Sequence, residues 1–502
     1  MVLQLLATIA LSWASYWIAT AFYRLFLHPL SKYPGPTVAI ISNSWYEWYW
    51  NYYHNGQMIF ELESLHKLHG PVVRIGPNDL SVNDPEVYLQ ITHVGSGFTK
   101  EPNFYKNISL PGTSIGETDP KKHRIRRKIL TPALSNTRVS ELASTVLHRV
   151  EQLLARFESF ADSAEIISFT GACHALTLDV ITQIVFGKSS ACVAEPGFRN
   201  EFMDHLDAAF AIGWIATAFP SLTAIALWMS PQFDLIPNPL LELKRRCSSI
   251  TKKHLATYSR KAGHNTTSVL EHRGGRSSII DLLLDPNSIK DYVVPNMEEL
   301  NNEIVMLLAA GNDTTSNAMI FGAYHIGNDP KIQYRLSREL RDEFPKFEEG
   351  ILYDQAKSLP YLAAVIKEVL RLGSPLPGRL PRLVPRFGFQ LYGHKLPSGT
   401  SIHLSAYLLN RHPDIWYRAE DFLPERWLSA DSQNLEKYVA TFTRGTRQCL
   451  GKDLAWCELV TFFANLFRRY NVQLINPTIA WSDLILVKYK DQLRGTVQRK
   501  KC

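Results

Sequence analysis

From Val2 to Tyr23 no side chain is charged, and Leu, Ile, Ala, Trp and Phe dominate. Twenty-two residues rising about 1.5 Å each reach roughly 33 Å, enough to cross a hydrocarbon core of about 30 Å. Arg24, His28 and Lys32 follow the run and no Lys or Arg precedes it. The positive-inside rule then leaves the amino terminus outside and the body in the cytoplasm. A cleaved signal peptide is the alternative; it wants a basic start and a short apolar core ending in small residues, and neither is evident. Residues 1–23 read as a transmembrane anchor, 24–36 as a proline-rich hinge stiffened by Pro34-Gly35-Pro36, and 37–502 as one large domain. A second uncharged run, Ala208 to Met229, is split by Pro220 and Ser221 into halves too short to span. It reads as an apolar lid against the bilayer, since a second crossing would separate everything after Asp234 from residues 30–207.

Further along, the period is mostly helical. Pro295-Asn296 opens a proline-free stretch that ends at Gly327-Asn328-Asp329-Pro330, predicting roughly 45 Å of helix. Its centre, Val305 to Ala310, is apolar on every face, so this helix is expected to cross the middle of the protein. A second helix is predicted from Ser358 to Leu372, ending at Gly373-Ser374-Pro375. From Phe387 to Tyr407 apolar and polar residues alternate around Gly393 and Pro397-Ser398-Gly399, which predicts a small antiparallel sheet. Lys252 to Arg276, with Gly274-Gly275, reads as a surface loop. The fold class is mainly α with small antiparallel β-sheets.

Composition narrows this only by exclusion. With 45% hydrophobic and 20% charged residues, the chain is neither disordered, collagen-like, nor built mainly of membrane spans. Six cysteines in 502 residues are too few for a disulfide framework and fit a reducing compartment. A net charge of +7 suits an anionic membrane surface or acidic partner as well as nucleic acid. The densest basic run, Lys121 to Lys128, lacks aromatic interleaving or any nucleic-acid motif, so no nucleic-acid partner is expected.

The chemistry is carried by Phe442-Thr-Arg-Gly445-Thr-Arg447-Gln-Cys449-Leu-Gly451. A cysteine flanked by glycines, in a loop leading into a helix, makes sense as a metal ligand. Glycines let backbone N–H groups approach the sulfur, and a helix amino terminus favours its anionic form. A thiolate so held can ligate haem iron. Gly445 to Lys452 has the wrong spacing for a phosphate loop, and Gly95-Ser-Gly97 lacks a dinucleotide turn's third glycine.

On these residues the chain resembles the cytochrome P-450 superfamily over nearly its whole length after the anchor. Ala310-Gly311-Asn312-Asp313-Thr314-Thr315 matches that family's oxygen-activating A-G-x-D-T-T. The match implies room for dioxygen at the small Gly311, beside the iron, and a proton relay through Asp313 and Thr314. Glu368-Val-Leu-Arg371 matches E-x-x-R, and Pro424-Glu425-Arg426-Trp427 matches P-E-R-F with Trp for Phe. Together they imply a buried structural triad of Glu368, Arg371 and Arg426. His123 and Arg127, four apart on one helical face, match W-x-x-x-R with His for Trp. By the same carry-over Arg127, His123, Arg382 and Arg447 bind haem propionates, Cys449 is the axial iron ligand, and Phe442, Gly445 and Gly451 shape its loop.

The resemblance implies a haem-thiolate monooxygenase with haem b. Its electrons would come from a separate NADPH–cytochrome reductase, since the chain carries no flavin or nicotinamide motif. It implies a single-pass protein of the endoplasmic reticulum membrane with its catalytic domain on the cytosolic face. Tyr23 to Pro36 and Gly70 to Pro77 resemble filamentous-fungal secondary-metabolism members of the trichodiene-oxygenase type. A lipophilic terpenoid is the substrate expected; an aromatic polyketide or indole alkaloid intermediate is the alternative. Pocket candidates by resemblance are the 208–229 lid, Val305 to Ala310 and Ser374 to Leu380. Oxygen-independent isomerase or dehydratase chemistry and a non-catalytic haem protein are remoter alternatives, disfavoured by the intact Asp313-Thr314 pair.

Overall fold

The computed structural model describes residues 1–163, 165–210, 225, 229, 239–262, 278–285, 293–475 and 478–500. The 208–229 lid lies almost wholly outside them. The central helix runs Met297–Asn328, with Asn296 Oδ1 accepting from Glu299 N at 3.0 Å to cap its start. It packs on the helices Phe169–Phe186 and Lys452–Arg469, whose apolar residues form with it one continuous core. Phe169–Phe186 is itself apolar and long enough to span a membrane, yet 78% of it is buried in this core. Its Asp179 is satisfied internally, accepting from Ser190 Oγ, Cys192 N and Val193 N.

The apolar helix Val2–Phe22 has no buried residue and is a candidate membrane span. Residues 24–36, expected as a hinge, make contacts with the body. Arg74 N donates to Pro34 O at 2.7 Å, and Leu30 and Tyr33 are buried. The Arg24 guanidinium bonds Ile41 O while Arg24 O accepts from Arg74 Nη1 at 2.7 Å. A Cβ at Gly35 would lie 1.9 Å from Arg74 O, so backbone contact holds this segment down.

A five-stranded sheet runs in the order Val72–Arg74, Asp79–Val82, Ser401–Ser405, Arg379–Leu383 and Thr99–Lys100. The alternating stretch 387–407 does not form one antiparallel sheet. Phe389–Leu391 and His394–Leu396 make a separate hairpin, whereas Ser401–Ser405 enters the large sheet and pairs in parallel with Asp79–Val82. The Pro397-Ser398-Gly399 turn divides them, with Gly399 N donating to Val384 O at 3.0 Å. The predicted loop from Lys252 is also revised, because the helix Pro239–Ala262 carries on through its first residues.

Candidate active site

Cys449 lies between the short helix Gly445–Arg447 and the helix Lys452–Arg469. Its N–H donates to Phe442 O at 2.9 Å and closes the loop. Gly445 has φ +67°, and a Cβ there would sit 2.1 Å from Thr92 O, so no other residue fits. Cys449 is exposed, whereas Cys173, Cys192, Cys247 and Cys457 are buried. Its sulfur is solvent-reachable but sunk in the fold. Enclosure pushes the thiol above its ordinary range, while the N–H groups of Gly451 and Lys452 and the Arg127 guanidinium favour the thiolate.

Cations converge beside this loop. Arg127, on the helix Pro120–Ala133, donates to Gln448 O at 2.6 Å. Arg447 donates to Glu117 O at 2.7 Å and Thr118 O at 3.2 Å, and Arg382 to Tyr105 Oη at 2.5 Å. His123 is buried among them; burial and then Arg447, Lys100 and Arg127 push its imidazole down to about 3. Each guanidinium thus rests on neutral oxygens, and among the described residues no carboxylate pairs with Arg127, Arg382 or Arg447.

The central helix contributes a second group. Asp313 Oδ1 accepts from Asn312 Nδ2 at 2.9 Å and lies 3.6 Å from His174 Nδ1, which is 3.0 Å from Ser316 Oγ. Burial, with help from Asp207, raises the Asp313 carboxyl to about 7. Thr314 Oγ1 donates to Ala310 O at 2.8 Å, bonding back to its own turn. The fully buried Asn312 takes the Thr177 hydroxyl on Oδ1 at 2.8 Å.

The third group is a buried ion-pair network. Glu368 and Arg371, both on the helix Pro360–Gly373, meet in two bonds of 2.7 and 2.9 Å. Arg426 Nε reaches Glu368 Oε1 at 3.0 Å, Leu423 N donates to Oε1 and Trp427 Nε1 to Oε2, each at 2.9 Å. Burial alone would raise the Glu368 carboxyl; Arg371, Arg426 and the Leu423 N–H overcome this and hold it below its ordinary value.

A Cytochrome P450 family model matches residues 41–488. The chain belongs to the cytochrome P450 family. It is 57% identical over 439 residues to cytochrome P450 monooxygenase sol6 of Alternaria solani, covering 88% of this chain and 93% of that protein. Cytochrome P450 monooxygenase aneF of Aspergillus aculeatus is 33% identical over 479 residues, covering 94% of each. Cytochrome P450 monooxygenase BOT1 of Botryotinia fuckeliana is 32% identical over 501 residues, covering 98% and 95%. This P450 is therefore an oxygen-incorporating oxidoreductase of the monooxygenase type, served by haem and a redox partner. Its donor set fits haem: among the described residues one cysteine, Cys449, is open, and the cations beside it have no carboxylate partner, as a group bearing carboxylates would require.

Within the P450, Arg127, His123, Arg382, Arg447 and Cys449 come together, as do Glu368, Arg371 and Arg426. Asp313 lies by His174, while its chain neighbour Thr314 bonds back to Ala310 O. At Gly311 a Cβ would lie 2.6 Å from Ile181 Cγ1 on the neighbouring helix, so the missing side chain permits close helix packing. Gly311→Ala is expected to destabilise the P450 by about 1–3 kcal/mol through overpacking, read as a lowered thermal midpoint. An unchanged midpoint would show that Ile181 yields freely. Sequence reasoning missed Trp427, His174, Tyr105 and Lys100. Trp427 alone carried a signal, standing where the family pattern has Phe.

Proposed function

We propose that this P450 binds haem b through Cys449 and inserts one atom of dioxygen into a C–H bond of a lipophilic secondary metabolite, a terpenoid. The observation that carries the reading is the open, loop-held Cys449 beside guanidinium groups without carboxylate partners. Bound haem supplies reductive activation of dioxygen. Arg127, His123, Arg382 and Arg447 hold its propionates, guanidinium being suited to buried carboxylates. Asp313, near neutrality in its proton affinity, takes protons inward and Thr314 hands them on, its hydroxyl turning from Ala310 O to do so. Glu368, Arg371 and Arg426 keep the framework rigid. The buried apolar stretch Val305–Ala309 suits a hydrocarbon-rich ligand, and the 23–36 and 70–77 phrases favour a terpenoid over a polyketide or alkaloid. The apolar amino-terminal helix supports attachment to the endoplasmic reticulum with the domain cytosolic, facing an NADPH-dependent reductase.

The test is a titration of the ferric protein with sesquiterpenes and aromatic polyketides, followed by turnover with reductase, NADPH and isotopically labelled dioxygen. A saturable low-to-high-spin shift with one terpene, and a product carrying one labelled oxygen, are expected. A shift with polyketides alone would overturn the substrate class, and turnover without NADPH would overturn the reaction. Thr314→Ala is expected to lower product formation by on the order of 10²-fold while NADPH is still consumed. Unaltered coupling would remove Thr314 from the relay.

A further inference from the structure

The helix Phe169–Phe186 packs on the central helix and sets His174 beside Asp313. Ser316 Oγ donates its single proton to Asp313 O at 3.2 Å, so at 3.0 Å from His174 Nδ1 it is left to accept. The ring therefore carries its proton on Nδ1, and Asp313 Oδ1 lies 3.6 Å from the same nitrogen. Asn312 offers no such exchange. Its Oδ1 takes the Thr177 hydroxyl, which fixes its amide as a donor to Asp313 that never titrates.

Charged groups from neighbouring segments face this pair. Asp207, on the helix Glu201–Phe210, acts on both His174 and Asp313. It also holds Arg199 at 2.9 Å and Lys488, on the strand Leu486–Tyr489, at 3.4 Å. The Arg199 and Lys488 side chains are 46% and 58% exposed, whereas those of His174 and Asp313 are 15% exposed. Polar groups thus lead from solvent at Lys488 and Arg199, by way of Asp207, to His174 and Asp313. Burial lowers the His174 imidazole to about 4, with Asp207 opposing and Lys488 and Arg199 assisting, so near neutral pH the ring is uncharged.

An uncharged imidazole holds one donor and one acceptor on a rigid ring, which suits it to pass a proton through. We propose that His174 is the residue through which protons from solvent reach Asp313. A proton from water on the Asp207 side adds at Nε2 as the Nδ1 proton leaves to the Asp313 carboxylate. The ring is neutral before and after, and exchange with water between turnovers returns the proton to Nδ1. This rests on the reading of Asp313 and Thr314 as a relay, and no motif in the chain points to His174.

The test uses the full-length haem-loaded protein with His174→Asn, whose amide keeps a hydrogen bond to Ser316 but carries no proton across. The carboxylic acid stretch of Asp313, identified by its loss in Asp313→Asn, is followed by infrared spectroscopy on rapid mixing with heavy water, without turnover. In His174→Asn its deuteration is expected to slow by at least about 10-fold, and product per NADPH to fall about 100-fold, the low end for a positioned proton-transfer group. Peroxide is released in place of product, and the solvent isotope effect grows. Deuteration at the natural rate overturns the proposal. Lost product with deuteration unmoved overturns it too, since it marks a histidine that only supports the helices. Should His174→Asn not accumulate, His174→Gln decides: it must slow deuteration likewise, and an unmoved rate overturns the proposal. Failure of the parent reading looks different, because then deuteration depends on His174 while Thr314→Ala leaves coupling unaltered.

Discussion

Cys449→Ala is expected to abolish both the thiolate signature of the carbon monoxide complex and all product formation. Phe442 O anchors the Cys449 backbone, Gly445 permits a turn no other residue could make against Thr92, and two N–H groups from the following helix aim at the sulfur. None of these supports a methyl side chain chemically, because what they stabilise is negative charge on sulfur. The other described cysteines are buried, and burial pushes Cys173, Cys192, Cys247 and Cys457 upward, so none substitutes as thiolate. The difference spectrum of the reduced, carbonylated protein and a turnover assay on the same sample check this. A surviving thiolate band would mean that another ligand holds the iron.

Glu368→Gln is expected to lower the stability and the yield of folded protein sharply. Glu368 is fully buried and receives five hydrogen bonds, from Arg371, Arg426, Trp427 and the Leu423 N–H. Removing its charge strands two guanidinium groups in the interior. Breaking a buried pair this way costs about 3–5 kcal/mol, a large part of a total stability of about 5–15 kcal/mol. Soluble yield and urea midpoints would measure it. Arg371→Met added to Glu368→Gln is expected to recover part of the loss, because it removes one of the stranded charges. The same network sets a pH dependence. Its carboxyl is held below the unfolded value of about 4.3, so the stabilisation is complete above that pH and fades as pH falls through the depressed native value. Acid unfolding of the natural protein should therefore steepen below about pH 4, and the Gln variant should lack that limb.

The long helix, the cysteine loop and the Glu368–Arg371 spacing were legible because each is a local pattern of a few neighbouring residues. The central helix begins within two residues of the Pro295-Asn296 signal and ends at Asn328. What the sequence could not display is chain meeting chain. No motif includes Lys100, and only sheet register sets it across from Arg382. The approach of Ile181 to Gly311 from the neighbouring helix is equally invisible in the sequence. Phe169–Phe186 has a membrane helix's composition, and only its neighbours make it a core helix. Residues 24–36 have a hinge's prolines, and their hydrogen bonds to Arg74, far along the chain, leave no mark in the sequence.

That last arrangement reaches beyond the fold. Arg24, just past the apolar helix, is bonded at once to Ile41 and Arg74, which fixes the direction in which the helix leaves the domain. If the helix spans a bilayer, as proposed, its spin about its own axis becomes yaw of the domain. The bilayer would then govern which side of the domain looks down into the acyl chains and which looks out to a passing protein. A foreign anchor grafted before Ser31 would leave that compass heading unset.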